Sequence, residues 1–311
     1  MFKLNTIKKF KTSFQLCLSN DYQLLCHTMG GKTIVYNTIS WEKVVEIPKP
    51  KNPGEIKFSA DDKYLFIKRT TGTVYVYETT EFSLVAIFQS TKAIHLTEGN
   101  FALTTNPFII LDEIRIKADI QLASINTENG EINVLTNFEE PIRYMRYHHH
   151  IQSENAHLFT IAFENELYDE LKVLKVTEKN GTFYTSLISF PDELFWDTLI
   201  YNPVYQVYIL VEKYNLIIVN AEFNKILMRK NLLKDEKLDD IGYFTHIHLS
   251  DNGLFIVLAY SKKVLIVRSE DLQVILVETF SYACFAEFSK NDELLLIGTW
   301  SNGYVLETNL K

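Results

Sequence analysis

Six ten-residue segments of the chain align with one another without gaps, and this internal repeat limits the possible folds more than any other feature. Each segment begins with an apolar or aromatic residue, continues with turn-forming residues and ends in an apolar run typical of a β-strand. A pair of strands joined by a tight turn therefore recurs along the chain. The six segments are LSNDYQLLCH from Leu18, FSADDKYLFI from Phe58, LTEGNFALTT from Leu96, YNPVYQVYIL from Tyr201, LSDNGLFIVL from Leu249 and FSKNDELLLI from Phe288.

Two further strands follow this pair in most repeats. The third strand alternates with period two, and it is seen as TIVYN at 33–37, VYVYE at 74–78, LIIVN at 216–220, VLIVR at 264–268 and YVLET at 304–308. An apolar residue recurs shortly after it, at Trp41, Phe82, Phe223, Leu272 and Leu310. We interpret this recurrent position as structural. Four antiparallel strands in each unit of 38 to 54 residues are typical of a β-propeller blade.

The spacing of the segments predicts seven such units. The interval of 105 residues between Leu96 and Tyr201 holds two, one of which begins with PIRYMRY at 141–147 and has an expanded first turn. The last unit ends after three strands, and residues 2–10 form an extra strand before the first unit. We therefore predict an all-β, seven-bladed β-propeller of four-stranded antiparallel blades, closed by pairing of the N-terminal strand with the last blade. It forms a single domain over residues 1–311, with blades at approximately 11–48, 53–89, 92–138, 141–190, 194–232, 242–280 and 282–311 plus 2–10.

The turn sequences FSADD and FSKND and the VYVYE type of third strand resemble the repeats of WD-repeat propellers, and this resemblance covers essentially the whole chain. No unit carries the Trp-Asp pair itself or the Gly-His that precedes it in that family. The resemblance therefore implies a degenerate, WD-like propeller, without the partners of any particular subfamily. Similar repeats also occur in lactonase-like and quinoprotein-like propellers. At the Trp-Asp position the chain has Tyr36-Asn37, Tyr77-Glu78, Val219-Asn220, Val267-Arg268 and Leu306-Glu307.

Composition and net charge argue against several functional classes. The net charge of -8 does not favour binding to a nucleic-acid backbone, and no apolar run approaches the length of a bilayer-spanning segment. Three cysteines have no metal-ligand spacing and do not indicate a disulfide framework. The start, MFKLNTIKKF, lacks the apolar region of a signal peptide. We expect a soluble cytoplasmic protein that is a monomer on its own and binds neither nucleic acid nor membrane.

Three long connections between strands, at 105–116, 163–171 and 232–242, have net charges of -1, -4 and -2. The first also carries an apolar strip, and an apolar centre with a charged rim is typical of a protein interface. We predict that these connections bind a protein with a basic surface, although long polar loops are also found simply as solvated surface. The predicted partner-binding residues are Phe108, Ile109, Ile110, Leu111, Asp112, Glu113, Glu164, Glu166, Asp169, Glu170, Asp235, Glu236, Asp239 and Asp240.

Signals for catalysis or metal binding are weak. The run His148-His149-His150, with His157 nearby, lies in the expanded turn of the fourth unit, and adjacent residues on an extended segment point in opposite directions. We therefore predict no metal and no cofactor. His95, His246 and His248 lie on first strands of their blades and are candidates for the lining of the central channel. Carboxylates such as Asp61-Asp62 recur in the repeat turns, which indicates turn formation and not catalysis.

These observations favour a non-catalytic protein–protein interaction scaffold. One alternative is a lactonase-like or quinoprotein-like propeller enzyme that acts at the central channel with His95, His246 and His248. A second alternative is a neutralising, immunity-type protein that covers a basic toxin. The chain lacks G-x-S-x-G, glycine-rich phosphate-loop, H-E-x-x-H and C-x-x-C motifs, so no enzyme class is indicated by a motif.

Overall fold

The computed structural model describes residues 4–13, 15–164, 170–234, 238 and 240–310. It has the predicted architecture, an all-β, seven-bladed propeller whose blades are four-stranded antiparallel sheets. An N-terminal strand, β1 (Asn5–Ser13), precedes blade 1. In blades 1, 2, 4, 5 and 6 the strands pair in chain order, first with second, second with third and third with fourth. In blade 3 the first strand is interrupted, and both of its parts pair with the next strand.

The strands of blades 1 to 4 follow one another along the first part of the chain. Blade 1 contains β2 (Leu16–Leu18), β3 (Leu24–Met29), β4 (Lys32–Asn37) and β5 (Lys43–Ile47), and blade 2 contains β6 (Pro53–Phe58), β7 (Tyr64–Arg69), β8 (Val74–Glu78) and β9 (Leu84–Phe88). Blade 3 contains β10 (Ile94–Leu96), β11 (Ala102–Leu103), β12 (Ile109–Ile116), β13 (Asp119–Asn126) and β14 (Ile132–Val134). Blade 4 contains β15 (Ile142–Ile151), β16 (Ala156–Phe163), β17 (Glu170–Lys179) and β18 (Thr182–Ile188), with a 3-10 turn at Gln152–Glu154.

The remaining strands form blades 5 to 7. Blade 5 contains β19 (Thr198–Asn202), β20 (Val207–Glu212), β21 (Asn215–Asn220) and β22 (Ile226–Asn231), followed by a 3-10 turn at Leu232–Lys234. Blade 6 contains β23 (Phe244–Leu249), β24 (Phe255–Tyr260), β25 (Lys263–Arg268) and β26 (Val274–Thr279), and blade 7 contains β27 (Ala283–Phe288) and β28 (Leu294–Glu307).

Blade 7 is completed by the N-terminal strand, as predicted. The first part of β28 pairs with β27, from Leu295 opposite Phe288 to Thr299 opposite Ala283. Its second part pairs with β1, from Asn302 opposite Lys11 to Glu307 opposite Asn5. Between the two parts the Thr299 hydroxyl accepts hydrogen bonds from the backbone N–H groups of Ser301 and Asn302, as in a turn. The long strand β28 therefore supplies two of the four strands, and β1 covers what would otherwise be an exposed sheet edge.

The repeat alignment of blade 3 was wrong. It placed the first turn at 97–100, whereas β10 and β11 both lie along β12 and the turn follows at 104–108. There the Thr104 backbone N–H donates to the Ile109 carbonyl at 3.4 Å, as the Ser59 N–H donates to the Tyr64 carbonyl in blade 2 at 2.8 Å. The matching segment is therefore LTTNPFIILD from residue 103, and the repeats start at residues 18, 58, 103, 151, 201, 249 and 288.

The chain divides into two compact units, each with its own apolar cores between neighbouring sheets. In unit 2, one core contains Phe66 and Ile110 and another contains Phe159 and Leu174. In unit 1, one core contains Tyr260 together with side chains of blades 5 and 6. Unit 1 comprises Met1–Leu18, Tyr22–Glu46 and Trp196–Lys311, and unit 2 comprises Ser19–Asp21 and Ile47–Phe195.

At four of its five positions, the apolar residue that recurs after the third strand has a left-handed backbone. This conformation costs a residue with a side chain about 1 to 2 kcal/mol. Phe223 and Leu272 are fully buried, and burial of such a side chain is worth about 1.5 to 3 kcal/mol, enough to offset that cost. The prediction of a structural role is confirmed. The φ angles are 56° at Trp41, 56° at Phe82, 54° at Phe223 and 55° at Leu272.

The side chain of the second residue at the Trp-Asp position caps the turn that follows the third strand. The Asn37 Oδ1 atom accepts hydrogen bonds from the backbone N–H groups of Ile39 at 3.0 Å and Ser40 at 2.9 Å. Glu78 accepts from the N–H groups of Ser83, Glu81 and Thr80, and these bonds lower its carboxyl pKa to about 2. In these two repeats, asparagine and glutamate therefore cap the turn in place of aspartate.

The recurrent turn carboxylates join successive repeats. The Asp62 Oδ1 and Oδ2 atoms accept the backbone N–H groups of Asn20 at 2.7 Å and Asp21 at 2.8 Å, and all three residues belong to unit 2. In unit 1, Asp292 accepts the N–H groups of Asp251 at 2.7 Å and Asn252 at 3.0 Å. The structure therefore confirms turn chemistry for these carboxylates, and it adds that each one caps the turn of the preceding repeat.

Asp62→Ala is expected to lower the free energy of unfolding by about 2 kcal/mol, because it leaves two turn N–H groups without their charged acceptor. Urea denaturation followed by circular dichroism measures this. Asp62→Asn keeps one acceptor oxygen and a residue that tolerates the left-handed backbone, so we expect about half of that loss. An Asp62→Ala protein as stable as the wild type would show that the contact does not join the two turns in solution.

Candidate functional site

Two of the four residues in the predicted apolar strip are buried, and Phe108 and Ile109 are partly exposed. The segment 105–116 was predicted to be a long connection, but β12 begins at Ile109 because the turn of blade 3 ends there. Ile110 and Leu111 are fully buried, one in each of two cores. The Phe108 ring packs against the Tyr64 ring at 4.8 Å between centroids. Because both faces of β12 are covered, Ile110 and Leu111 cannot contact a partner while the blade is folded.

Two of the predicted rim carboxylates also face inward. Asp112 is 1% exposed, and its Oδ1 atom lies 2.7 Å from the Lys68 ammonium, which is buried to the same extent. Burial raises the pKa of Asp112. Glu113 lies 3.8 Å from Arg115, and its pKa is also raised by burial. Asp112 therefore takes part in the packing of blades 2 and 3, and Glu113 is partly buried beside Arg115 of its own blade.

The other predicted rim acids have mixed positions. Glu164 and Glu170 are exposed, and Glu170 lies 3.2 Å from Lys172. Asp240 is exposed and forms an ion pair with Lys262. Five of the predicted residues lie outside the described residues, namely Glu166, Asp169, Asp235, Glu236 and Asp239. Their role in binding a partner stays a prediction.

The histidine run lies within a strand, which corrects the predicted expanded turn. Strand β15 continues through His148, His149 and His150 to Ile151. His148 Nε2 lies 2.8 Å from the Thr160 hydroxyl, and burial lowers the pKa of His148 to about 3. His150 and the fully buried His157 are stacked, with ring centroids 4.4 Å apart. Among the described residues, no group of three or more His, Cys, Asp or Glu side chains is arranged to hold a metal ion.

The channel candidates fall in different units. His95, in unit 2, is exposed on β10. In unit 1, His246 Nδ1 lies 3.0 Å from the Ala286 carbonyl, and the Phe288 N–H donates to His248 Nδ1 at 3.3 Å. Burial lowers the pKa of His248 to about 4. His246 and His248 thus have backbone partners on β27, which is the arrangement of packed histidines.

A row of three exposed aromatic side chains lies on one face of unit 1, and the sequence analysis did not identify it. Tyr243 is 61% exposed, Tyr282 62% and Trp300 70%. The rings of Tyr282 and Trp300 are 6.4 Å apart between centroids. We name these three residues the aromatic row. A large exposed aromatic group is unusual on a protein surface, where such side chains are normally buried.

Backbone hydrogen bonds hold the row in place. Ser261 N–H donates to the Tyr243 carbonyl at 2.8 Å, Ala283 N–H donates to the Ser261 carbonyl at 3.2 Å, and Trp300 N–H donates to the Tyr282 carbonyl at 3.2 Å. The three aromatic residues therefore lie in sequence along blades 6 and 7. A signal was present in the sequence, since Tyr243 and Tyr282 stand one residue before the first strand of consecutive blades.

The backbone of Tyr282 is left-handed, with a φ of 58°. At Phe223 and Leu272 the cost of the same conformation is offset by complete burial of the side chain. Tyr282 has no such compensation, because most of its side chain faces solvent. The same conformation occurs at turn residues such as Tyr22 and Asp62, so the exposure of the side chain, and not the backbone alone, distinguishes Tyr282.

No protein-family model matches the chain, and no curated protein matches its sequence. None of the described helical segments has the length and apolar character needed to cross a membrane. The fold and the aromatic row are therefore the observations from which function has to be inferred.

Proposed function

We propose that this chain is a non-catalytic protein–protein interaction scaffold that binds its partner through the aromatic row. The observation that carries the proposal is the exposure of Tyr243, Tyr282 and Trp300 in one row on backbone held by hydrogen bonds. Tyrosine and tryptophan are enriched among the residues that dominate binding energy, since they bury a large area with little loss of side-chain freedom. A rigid scaffold that presents them loses little entropy when the partner binds.

The proposed partner is a protein with a net positive surface around an apolar contact. The chain carries a net charge of -8, which accelerates encounter with a cationic protein and slows encounter with an anionic one. We also propose a cytoplasmic location and a place among degenerate WD-like propellers. Cys17, Cys26 and Cys284 are not joined by disulfides, which supports a reducing compartment.

The triple variant Tyr243→Ala/Tyr282→Ala/Trp300→Ala is expected to weaken partner binding at least about 100-fold, because it removes all three proposed hot-spot side chains. The partner is first identified by placing a photo-crosslinking amino acid at position 301 in native cells, because Ser301 is exposed beside Trp300 and is not part of the aromatic row. Affinity of the purified partner is then measured by calorimetry for wild type and variant. The side chains are exposed, so the variant should unfold at the same urea concentration as the wild type.

Tyr184→Ala provides the matched control, since Tyr184 is 57% exposed but lies on β18 in unit 2. Its affinity for the partner should equal that of the wild type. If the triple variant binds the purified partner as tightly as the wild type does, the aromatic row is not the binding surface. If the crosslinker at position 301 captures no protein in native cells, the scaffold proposal itself is wrong.

A further inference from the structure

A basic depression lies at one end of blade 5, in unit 1. It is lined by Asn215, Arg229, Lys230, Asn231 and Lys234. Asn215 begins β21 and pairs with Asn231 at the end of β22, and Lys234 belongs to the 3-10 turn that follows. The depression is therefore built from a strand pair in regular register and the turn that leaves it. We name these five residues the basic depression.

None of the five lining residues is acidic and three are cationic, although the whole chain has a net charge of -8. Arg229 Nη1 donates to Glu212 Oε2 at 3.0 Å, and Asn215 Nδ2 donates to the same oxygen at 3.0 Å. Glu212 therefore positions the guanidinium and the amide together. Among the residues that the structure describes, no carboxylate forms an ion pair with Lys230 or Lys234.

The amide of Asn231 is also oriented. Its Oδ1 atom accepts the Leu233 backbone N–H at 2.9 Å, which leaves the Nδ2 group of the same side chain as a donor. The depression thus combines one guanidinium, two ammonium groups and an oriented amide donor. All of these groups are hydrogen-bond donors, and the guanidinium and ammonium groups contain no acceptor atom.

We propose that the basic depression binds a phosphate-type oxyanion. A guanidinium presents two parallel N–H donors that match two oxygens of a tetrahedral anion, and each ammonium adds a positive charge with rotatable donors. A doubly charged phosphate gains more from three cations than a carboxylate does, because the Coulomb energy grows with the product of the charges. The site is separate from the aromatic row, so either proposal can fail without the other.

The test is calorimetric titration of the full chain with inorganic phosphate, pyrophosphate and O-phosphoserine at constant ionic strength set with sodium chloride. We expect saturable binding with one site per chain. Tighter binding of pyrophosphate than of the two monophosphates would identify a diphosphate ligand, and similar affinities would identify a phosphate monoester. Absence of saturable binding of all three probes would overturn the proposal.

The variant Lys230→Gln/Lys234→Gln is expected to lower the affinity for the most tightly bound of these probes at least tenfold. Lys225→Gln is the matched control, because Lys225 is an exposed lysine of the same blade that precedes β22 at the opposite end of the strand from Asn231. Lys234→Gln alone, on the exposed turn, should weaken binding at least threefold and serves if the double variant unfolds. Equal affinity of the lysine variants and the wild type, or equal weakening by Lys225→Gln, would show that the depression is not the binding site.

Discussion

Lys68→Met alone is expected to lower the free energy of unfolding by about 3 to 5 kcal/mol, because it leaves the buried Asp112 carboxylate without its counter-charge. In the native protein both side chains are 1% exposed, and Lys68 Nζ lies 2.7 Å from Asp112 Oδ1. The second carboxylate oxygen, Oδ2, has no hydrogen-bond partner among the described residues. The lysine is therefore the main group that makes the buried charge tolerable.

The two single variants are expected to respond to pH in opposite directions. In Lys68→Met the folded pKa of Asp112 rises further above its unfolded value near 4, so stability falls as pH rises above about 4. In Asp112→Leu the buried Lys68 ammonium loses its counter-charge and the apolar core favours its neutral form, so stability falls as pH drops. Urea denaturation at several pH values between 5 and 9 measures both slopes.

The double variant Lys68→Met/Asp112→Leu is the control that separates charge from volume. It replaces the ion pair by apolar side chains of similar size, and such replacements are often neutral or stabilising. We expect it to be more stable than either single variant and to lose both pH slopes. A double variant less stable than both single variants, or single variants with equal slopes, would contradict an ion pair that depends on mutual neutralisation.

The Lys68–Asp112 ion pair could not be predicted from the sequence, whereas the propeller fold could. Repeat turns, third strands and the recurrent apolar position identified the propeller, because each is a local pattern set by backbone conformation. The closure by β1 followed from counting strands. Asp112 directly follows the apolar run Phe108–Leu111. The local sequence pattern of such a charged residue is the same whether the residue lies on a surface or in a core. Its burial depends on Lys68 of another repeat, and no local pattern connects the two.

The error in blade 3 has a similar origin. Both LTEGN and LTTNP contain an apolar residue followed by turn-forming residues, so local chemistry fits a turn at either place. Pairing decides between them, since β12 needs partners along its whole length and both β10 and β11 supply them. The aromatic row was missed for another reason. Exposure of Trp300 or Tyr282 is a property of the assembled blades, and neither residue was among the predicted site residues.

Acidification from pH 7.5 to 5.5 is expected to lower the free energy of unfolding by about 1.3 kcal/mol for each of two buried histidines. His27 is 1% exposed and His157 is fully buried. Burial lowers the pKa of His27 to about 4 and that of His157 to about 3. Both nitrogens of each ring have no hydrogen-bond partner of good geometry among the described residues, so desolvation of the protonated form dominates.

The direction in which pH changes the stability follows from the linkage between protonation and unfolding. Each histidine has a lower pKa in the folded chain than its value near 6.5 in the unfolded chain, so unfolding takes up a proton between those two values. The stability contribution is complete above about pH 7 and is lost progressively as pH falls toward 4. His27 is stacked on Phe10 at 4.9 Å between ring centroids, and His157 is stacked on His150 at 4.4 Å. Both environments therefore favour the neutral imidazole over the protonated one.

His27→Phe/His157→Phe replaces both rings by groups of similar shape that cannot be protonated. Urea denaturation at pH 7.5, 6.5 and 5.5 should show that the double variant loses about 2.6 kcal/mol less than the wild type over this range. His95→Gln is the control, because His95 is exposed on β10, and its pH dependence should match that of the wild type. If the double variant retains the full slope, the two histidines are protonated in the folded protein, and their rings must reach water or an acceptor in solution.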